Sequence, residues 1–406
     1  MMKELWLFTI RFPFGHGEAF LENELPILAQ GFERVRLFPL LPGGEQRPLP
    51  PGVEVERLFS EEEAYRPLAK WRILMGLPRV LKVWMQGKRS APSPEVFAKH
   101  RARFQSQLWQ ALERERLLHV RIAAQYDPSR IRLYSYWTSD WATVLGLWKL
   151  RDPRVRFVSR MMGFDMFDHR APGHWQRFQA FHVGQVEHVF VIAEAGLAHM
   201  HERFPEVTEK FSISYLATTD NGLGPWGPAE ELRIVSCSNF VELKRVPLIA
   251  EALHHVQGPV HWTHFGDGPE RARVEVAVKT LPPNIKVDLM GSRPNAEVIA
   301  WYKTNPVDVF VHASYTEGGA PVALQEAASF GIPLVAADAG GVREIVNEAT
   351  GVLLPNALSA EQLGETLDRF KRSDKYGALA RDRVRAFWAS KFKASEVYGG
   401  LLKQLM

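Results

Sequence analysis

The sequence predicts an α/β protein built on parallel β-sheets, and its clearest stretch runs from residue 307 to residue 347. Residues 307–311 are apolar and largely β-branched, which is typical of a buried strand, and a glycine loop and the helix 322–330 follow. A second strand at 333–337, the loop Gly340-Gly341 and the helix 342–347 repeat the order. Strand, loop and helix repeated in this way indicate the βαβ unit of a parallel sheet.

The same alternation extends along most of the chain and predicts the remaining elements in order. The predicted strands are 5–10, 35–40, 131–135, 155–159, 189–193, 211–215, 232–236, 260–266, 285–290, 307–311, 333–337 and 351–354. The predicted helices are 19–31, 104–125, 141–150, 194–204, 246–254, 298–302, 322–330, 342–347, 360–371 and 374–406.

Length and composition describe an ordinary globular protein. The 406 residues suffice for two domains, and 46% are hydrophobic and 24% charged. Cys237 is the single cysteine, which excludes an internal disulfide and any metal-binding cysteine spacing. The first residues lack the pattern of a signal peptide, and no apolar run is long enough for a membrane span. These observations predict a cytoplasmic location.

Two loops at the carboxyl ends of strands are candidate ligand sites. In open α/β sheets ligands bind at that edge, and the free N–H groups of a helix start attract phosphates. Glu317 would repel a phosphate, so its presence suggests a ligand that also carries sugar hydroxyls, with Glu326 nine residues further on. The alternative is that Glu317 caps the helix and Glu326 is a solvated surface residue.

The segment from Ser314 to Glu344 resembles the signature of the retaining glycosyltransferases of family 4. The matching residues are Ser314, Glu317, Gly318, Pro321, Glu326, Ala327, Gly331, Pro333, Gly340, Gly341 and Glu344. The resemblance implies a GT-B fold, in which two Rossmann-like domains face each other across a cleft. It places an acceptor-side domain at 1–216, a hinge at 217–222, a donor domain at 223–386 and a closing helix, 387–406, that packs back on the first domain.

The resemblance also implies roles for individual residues. Lys244 and Arg245 would neutralise the donor diphosphate and Glu317 would hold sugar hydroxyls, and these three form the predicted catalytic set. Further donor contacts fall on Gly266, Arg293, Gly318, Gly319, Ala320, Pro321, Val322 and, for the ribose, Glu326. The predicted acceptor or cleft residues are Gly15, His16, Gly17, Arg160, Met162 and Asp165.

The chain departs from the family pattern at three places. Eight residues separate Glu317 from Glu326, where the family usually has seven. Met162 stands at a histidine position, and methionine neither donates a strong hydrogen bond nor carries a proton. Ser238 stands at an arginine position, where Arg245 is expected to compensate.

Residues 66–103 are rich in Arg and Lys and contain interleaved Trp, Leu and Val. A basic amphipathic helix of this kind can lie on an anionic membrane surface, which predicts peripheral attachment to the inner face of the membrane. The alternative is a solvated helix face whose aliphatic stems cover the core. No nucleic-acid-binding module is recognised, so no nucleic-acid partner is expected.

The sequence therefore predicts a metal-independent hexosyltransferase that needs no cofactor. Its donor is a UDP- or GDP-linked sugar, and its acceptor is a saccharide or lipid-linked saccharide in exopolysaccharide or other cell-surface glycan assembly. Three alternatives remain: a nucleotide-sugar epimerase of the same fold, a non-catalytic protein that binds nucleotide sugars, and a nicotinamide-dependent dehydrogenase, which lacks its Gly-x-Gly-x-x-Gly fingerprint here.

Overall fold

A computed structural model describes residues 2–15, 17–69 and 77–406. The chain forms two compact units, the first comprising Met1–Ser214 with Tyr398–Met406 and the second comprising Tyr215–Val397. The first boundary lies two residues before the predicted one. The C-terminal return to the first unit begins at Tyr398 rather than at residue 387, because Trp388 and Phe392 pack in a core of the second unit.

The first unit alternates strands with helices. Its strands are β1 (Glu4–Thr9), β2 (Arg34–Pro39), β3 (Val53–Val55), β4 (Ile131–Ser135), β5 (Phe157–Met161), β6 (His188–Val191) and β7 (Phe211–Ile213). Its helices are α1 (Leu21–Gly31), α2 (Glu61–Tyr65), α3 (Leu77–Ser90), α4 (Pro94–Ile122), α5 (Asp140–Arg151), α6 (Gly163–Met166), α7 (Gln179–Gln185) and α8 (Glu194–Arg203).

The first sheet has the strand order β3-β2-β1-β4-β5-β6-β7, and its strands pair in parallel. The core beside it is strongly aromatic: Phe8 stacks on Phe38 with ring centroids 4.9 Å apart and packs against Trp141 at 4.8 Å. Because the order reverses between β1 and β4, the loops that follow these two strands flank the topological switch point.

The second unit also alternates strands with helices. Its strands are β8 (Leu232–Cys237), β9 (Val260–Phe265), β10 (Ile285–Leu289), β11 (Val309–His312), β12 (Leu334–Ala337) and β13 (Gly351–Leu354). Its helices are α9 (Val246–Leu253), α10 (Arg271–Lys279), α11 (Asn295–Thr304), α12 (Val322–Ser329), α13 (Ala360–Phe370) and α14 (Ala378–Phe392), and the unit boundary falls inside α15 (Ala394–Leu405).

The second sheet is also parallel, with the order β10-β9-β8-β11-β12-β13. Val309 and Val311 belong to one hydrophobic cluster and Phe310, between them, to another. This alternation shows that β11 is covered on both faces, as expected for a central strand of a parallel sheet. Its carboxyl end and that of β8 flank the switch point of this unit.

Several predicted elements need correction. The strand predicted at 155–159 lies two residues further on, and the helix predicted at 104–125 begins ten residues earlier. The helix expected at 342–347 is a 3-10 helix at Gly340–Glu344, and the single helical stretch expected at 374–406 is divided into α14 and α15 at Lys393. The short edge strand β3 was not predicted. Its three residues are too few to show an alternating pattern.

The basic stretch at 66–103 contributes α3 and the start of α4, while its residues 70–76 lie outside the described residues. Within 2–15, 17–69 and 77–406, no helix is long and apolar enough to cross a membrane.

Candidate functional site

The second unit brings Lys244, His312 and Glu317, here called the Lys244 cluster, together at its switch point. Lys244 ends the loop after β8, His312 is the last residue of β11, and Glu317 lies in the loop that leads to α12. Lys244 Nζ donates to Glu317 Oε1 at 2.5 Å, and His312 Nε2 lies 2.9 Å from the same oxygen. One carboxylate oxygen is therefore shared by a cation and an imidazole.

The electrostatics of the cluster favour an ionised carboxylate. Burial raises the pKa of Glu317, but the His312 hydrogen bond and the Lys244 charge outweigh it and hold the pKa at about 2. Burial also lowers the pKa of His312, against the opposing effect of Glu317, so the imidazole is neutral at pH 7 and donates one N–H. The side chains of Lys244 and Glu317 remain 22% and 14% exposed, so a ligand can reach them.

Arg245 is held differently from its neighbour. Its guanidinium donates to the backbone carbonyls of Ala313, Ser314 and Asn356, and its backbone adopts a left-handed φ of 49°. These bonds tie the loop after β8 to the loop after β11. The geometry favours an architectural role for Arg245 over the predicted diphosphate contact.

Gly340 and Gly341 pack closely against the backbone of the Glu317 loop. A Cβ added at Gly340, whose φ is 55°, would lie 2.1 Å from the carbonyl oxygen of Glu317, and one added at Gly341 would lie 2.3 Å from the carbonyl carbon of Gly319. Side chains of any size are excluded at both positions. Gly340 and Gly341 thus fix the loop by close backbone packing.

The helix start predicted to meet the donor lies directly after this loop. Ala320 is buried, Pro321 precedes the first residue of α12, Val322, and no described side chain caps that end. A helix start without a side-chain cap leaves backbone N–H groups directed at a ligand position. The interpretation of Glu317 as the helix cap is therefore wrong, because its carboxylate binds Lys244 and His312 instead.

Glu326 is buried within α12 and is not the solvated surface residue of the alternative interpretation. Asn295 Nδ2 donates to its Oε1 at 2.8 Å, and 8% of Glu326 is exposed. Burial raises the pKa of Glu326 to about 7, although the Asn295 hydrogen bond acts in the opposite direction. The carboxyl group is thus a buried acceptor that titrates near neutrality.

The other two predicted donor residues lie on the loops after β9 and β10. A Cβ at Gly266 would lie 1.9 Å from the carbonyl oxygen of Ser238, so this glycine packs the loop that leads to Lys244. Arg293 donates to the carbonyl of Met290 and reaches Glu297 at 3.6 Å, with 48% of its side chain exposed. Arg293 is thus held by local contacts on the surface, whereas Gly266 is packed against the loop that leads to Lys244.

The switch point of the first unit is organised by Glu18. Its carboxylate accepts the backbone N–H groups of Ile10, Arg11 and Phe12 at 2.7 to 2.9 Å and the indole N–H of Trp137 at 2.7 Å. Gly15 and Gly17 lie in this loop and their carbonyls accept from Arg47, while His16 lies outside the described residues. The chain's own carboxylate thus fills the anion position after β1.

Arg160 is not a cleft residue. It is fully buried, forms an ion pair with buried Glu24 at 2.9 Å and donates to the Tyr134 hydroxyl and the Ser214 carbonyl. This corrects its predicted place, because a side chain with no exposed surface contacts no acceptor. Its role is to join β4, β5 and the end of β7 inside the first unit.

Met162 and Asp165 are also buried, at 4% exposed each. Asp165 accepts the backbone N–H groups of Met162 and Thr138 at 2.6 and 2.8 Å, which stabilises the start of α6. Burial raises the pKa of Asp165 to about 7 against these hydrogen bonds. Asp165 lines a small pocket of the first unit, and Met162 is not part of its lining.

Sequence reasoning missed His312, Asn295 and Glu18. His312 had a usable signal, since it is the polar residue that ends the apolar run of β11 at the ligand-binding edge. Asn295 lies 31 positions from its partner Glu326, and Glu18 bonds Trp137 across 119 positions. No local pattern reports contacts at such separations.

Solved structures of similar architecture define the fold. The chain aligns along its full length with the UDP complex of Anabaena Alr3699/HepE, with a TM-score of 0.66, 15% identity and coverage of 100% and 99% of the two chains. WaaG, a glycosyltransferase of lipopolysaccharide biosynthesis, aligns with a TM-score of 0.60, 13% identity and 99% coverage of each chain. The fold is GT-B, with two parallel-sheet α/β domains, which confirms the predicted fold class.

Sequence comparison finds a family model that matches most of the second unit. Residues 227–385 match the model of the group 1 glycosyl transferases. A putative colanic acid biosynthesis glycosyltransferase, WcaL of Escherichia coli, is 29% identical over 178 residues, and a GDP-mannose-dependent alpha-mannosyltransferase of Mycobacterium tuberculosis is 33% identical over 127. These matches cover 41% and 31% of this chain and 43% and 31% of the relatives, so less than half of each relative is spanned.

Proposed function

We propose that this protein is a retaining hexosyltransferase that uses a UDP- or GDP-linked sugar as donor. The observation that supports the proposal is the Lys244 cluster, in which a cation and an ionised carboxylate lie at the carboxyl ends of the strands of a domain that matches the group 1 glycosyl transferases. In the proposal, the carboxylate binds sugar hydroxyls. Glu326, with its buried carboxyl on α12, supplies an acceptor for the ribose.

Lys244 has a defined task in such a reaction. The diphosphate leaving group gains negative charge as the glycosidic bond breaks, and a fixed cation stabilises that state more than the ground state. Lys244 must exchange the Glu317 carboxylate for the diphosphate, which leaves Glu317 Oε1 bound by His312 alone. His312 continues to hold Glu317 during this exchange, so the carboxylate stays in place for the sugar hydroxyls.

Retention and metal independence belong to the same proposal. Displacement on one face can use the departing phosphate as the base that takes the acceptor proton, so the reaction needs no protein base. Among the described residues, no group of three His, Cys, Asp or Glu side chains is placed to hold a metal ion. The proposed charge compensation falls to Lys244 and to the N–H groups at the start of α12.

The relatives suggest the setting of the reaction. WcaL carries colanic acid biosynthesis in its name, and AmsK of Erwinia amylovora, 28% identical over 154 residues, is an amylovoran biosynthesis glycosyltransferase. We therefore assign the acceptor to the saccharides or lipid-linked saccharides from which exopolysaccharides are assembled. The cytoplasmic location stays a prediction from the sequence.

The first test is a thermal-shift panel of UDP-, GDP- and ADP-sugars, with and without magnesium, on the wild type and on Lys244→Ala. A ligand that binds the folded state raises the melting temperature by mass action. We expect one nucleotide class to stabilise the wild type regardless of magnesium, with loss of the shift in Lys244→Ala. Lys286→Ala, which removes an exposed lysine of the same unit, is the matched control and should keep the shift.

Each alternative has its own outcome. A shift with NAD(H) and with none of the nucleotide sugars would favour the dehydrogenase, which the Glu18-filled loop of the first unit disfavours. Conversion of the donor sugar to its epimer without acceptor would favour the epimerase. Binding of a nucleotide sugar without turnover across a panel of saccharide acceptors would favour a non-catalytic binding protein.

The described part of the basic stretch supports a membrane contact as part of the proposal. One face of α3 exposes Leu81 and Met85 beside Lys82, Lys88 and Arg89, while Val80 and Val83 on the opposite side pack into the core. Apolar side chains flanked by cations match an anionic lipid surface.

This contact is tested by sedimentation with vesicles. Lys82→Glu with Lys88→Glu should abolish binding to vesicles that contain phosphatidylglycerol, whereas the pair Lys279→Glu with Lys286→Glu, of equal charge change, should not. Equal binding to purely zwitterionic vesicles, or no binding by the wild type, would exclude the electrostatic contact.

A further inference from the structure

One hydrogen bond in the second unit joins an exposed side chain to a buried one. Asn295, the first residue of α11, donates from Nδ2 to Oε1 of Glu326 on α12 at 2.8 Å. Asn295 is exposed, whereas Glu326 is buried. A side chain on the surface therefore reaches inward and binds one oxygen of a buried carboxyl group.

The packing of α11 against the segment that contains α12 keeps these two residues close. Tyr302 follows Asn295 by seven positions and Phe330 follows Glu326 by four, so each pair lies on one face of its helical segment. The rings of Tyr302 and Phe330 lie 5.3 Å apart, and both residues are buried in the same hydrophobic cluster. The hydrogen bond thus connects two elements that a shared core already holds together.

The two carboxyl oxygens of Glu326 have different surroundings. Oε1 accepts from Asn295, whereas Oε2 accepts no hydrogen bond in the described part of the chain. Oε2 is not one of the fully enclosed polar atoms that lack a partner, so it keeps accessible surface. The side chain therefore has one oxygen that the protein holds and one that a ligand can reach.

The ionisable groups around Glu326 leave its charge to Asn295. Burial raises the pKa of Glu326 to about 7, and the Asn295 hydrogen bond is the contact that lowers it. Cys237, at the end of β8, and Tyr302, on α11, stay neutral, because burial raises the pKa of Cys237 to about 12 and that of Tyr302 well above its usual value. Lys244 lowers the pKa of Cys237 but is not a cause of the Glu326 shift. Loss of Asn295 would therefore raise the pKa of Glu326 further.

We propose that Asn295 is a positioning residue for the nucleotide: by holding Glu326 Oε1 it keeps the carboxylate in the orientation in which Oε2 accepts from the ribose hydroxyls. The inference deepens the proposed function and rests on it in one respect, the contact of Glu326 with the ribose. Asn295 acts through Glu326, whereas the diphosphate belongs to Lys244. Loss of Asn295 should therefore weaken recognition of the ribose and leave recognition of the diphosphate unchanged.

The test separates the two contacts by calorimetry on the full chain. UDP is compared with 2′-deoxy-UDP and GDP with 2′-deoxy-GDP, so the ratio of affinities within each pair, the riboside preference, reports the ribose contact. Inorganic pyrophosphate reports the diphosphate contact alone. Asn295→Ala removes the donor, and Asn295→Asp keeps the size of the side chain but places a second carboxylate beside Glu326. Asn284→Ala, which removes an exposed asparagine before β10 that donates to the Gly258 carbonyl, is the matched control.

We expect the wild type and Asn284→Ala to prefer the riboside of at least one base at pH 8. The preference should fall about tenfold in Asn295→Ala, as for the loss of a hydrogen bond to a charged group, and further in Asn295→Asp. Affinity for pyrophosphate should stay the same in all of them. The pH above which the preference develops should rise in Asn295→Ala, because the hydrogen bond that lowers the pKa of Glu326 is lost. A merely structural role would reduce the preference equally at every pH.

A double variant tests whether Asn295 acts through Glu326. In a Glu326→Gln background, Asn295→Ala should reduce the riboside preference no further, since residues that act as a unit are not additive. Additive losses, a preference that survives Asn295→Ala and Asn295→Asp, or an equal loss of pyrophosphate affinity would overturn the inference and leave the proposed function standing. A wild type that binds none of the nucleoside diphosphates would overturn both, so the two failures are distinguishable.

Discussion

The strand order of the first unit recurs in the second, but the loops at the two switch points are held by different contacts. In the first unit the loop after β1 is closed by Glu18, whose carboxylate takes three consecutive backbone N–H groups. In the second unit the loop after β8 ends in Lys244, which pairs with a carboxylate from the neighbouring loop and stays 22% exposed. A carboxylate of the chain itself is held at both switch points, by buried backbone N–H groups in the first unit and by a partly exposed lysine side chain in the second. The difference shows that the same strand order can carry a closed loop or one whose charged group stays accessible.

Of the variants considered, Glu317→Gln is expected to have the largest effect, which is on the rate of sugar transfer. The amide keeps the size of the side chain but loses its charge, so transfer should fall about 10²–10³-fold, as for the loss of a preorganised polar contact at a reacting group. Since Lys244 would lose its internal partner, affinity for the nucleoside diphosphate alone should be retained or increase. Steady-state kinetics and calorimetry measure the two quantities.

Glu365→Gln, an exposed change on α13, serves as the control for Glu317→Gln. Equal losses of transfer and diphosphate affinity in Glu317→Gln would show that the carboxylate supports the fold of the site rather than the sugar.

Glu326→Gln is expected to change how the free energy of unfolding depends on pH. The folded protein holds the Glu326 proton up to pH about 7, against 4.5 for the reference carboxyl, so this group lowers the free energy of unfolding as pH rises through that window. The contribution amounts to about 3 kcal/mol. Glu326→Gln should therefore be more stable than the wild type at pH 8 and equally stable near pH 4, in urea titrations at both pH values. A stability difference between the variant and the wild type that is the same at both pH values would contradict the raised pKa of Glu326.

Glu18→Ala tests the closed switch point of the first unit. Four N–H donors would lose their shared acceptor, which we expect to lower the free energy of unfolding by about 2 kcal/mol. Urea denaturation gives the value, and Glu22→Ala, on the exposed side of the same segment, should have little effect. Nucleotide-sugar binding should persist in Glu18→Ala, because that site lies in the other unit; its loss would contradict the division of roles.

The smallest expected effect is that of His312→Leu. Without its hydrogen bond Glu317 is held by Lys244 alone, and once the diphosphate draws Lys244 away the carboxylate is free to move. Transfer should fall about tenfold, which is about 1.4 kcal/mol, with diphosphate affinity unchanged. His312→Gln restores a donor and should recover most of the rate. Similar losses in both variants would show that His312 acts only through packing.

Periodicity predicted the scaffold closely, because buried strands and amphipathic helices are local features of the sequence. The strand 131–135 and the strand 351–354 coincide with β4 and β13. The prediction failed where a long-range contact decides the role of a residue. Arg160 was placed near a ligand because its motif says nothing about Glu24, which lies 136 positions away. Likewise, the motif alone could not show that Arg245 binds carbonyls of two other segments.

The close packing of Gly340 and Gly341 beneath the Glu317 loop has a thermodynamic consequence. The loop is shaped by steric contact between backbones, so its conformational entropy is lost during folding rather than during ligand binding. A ligand at the Lys244 cluster should then bind with little ordering of this segment. Backbone NMR order parameters from Gly318 to Ala320 should accordingly be high in the free protein and change little when a ligand binds.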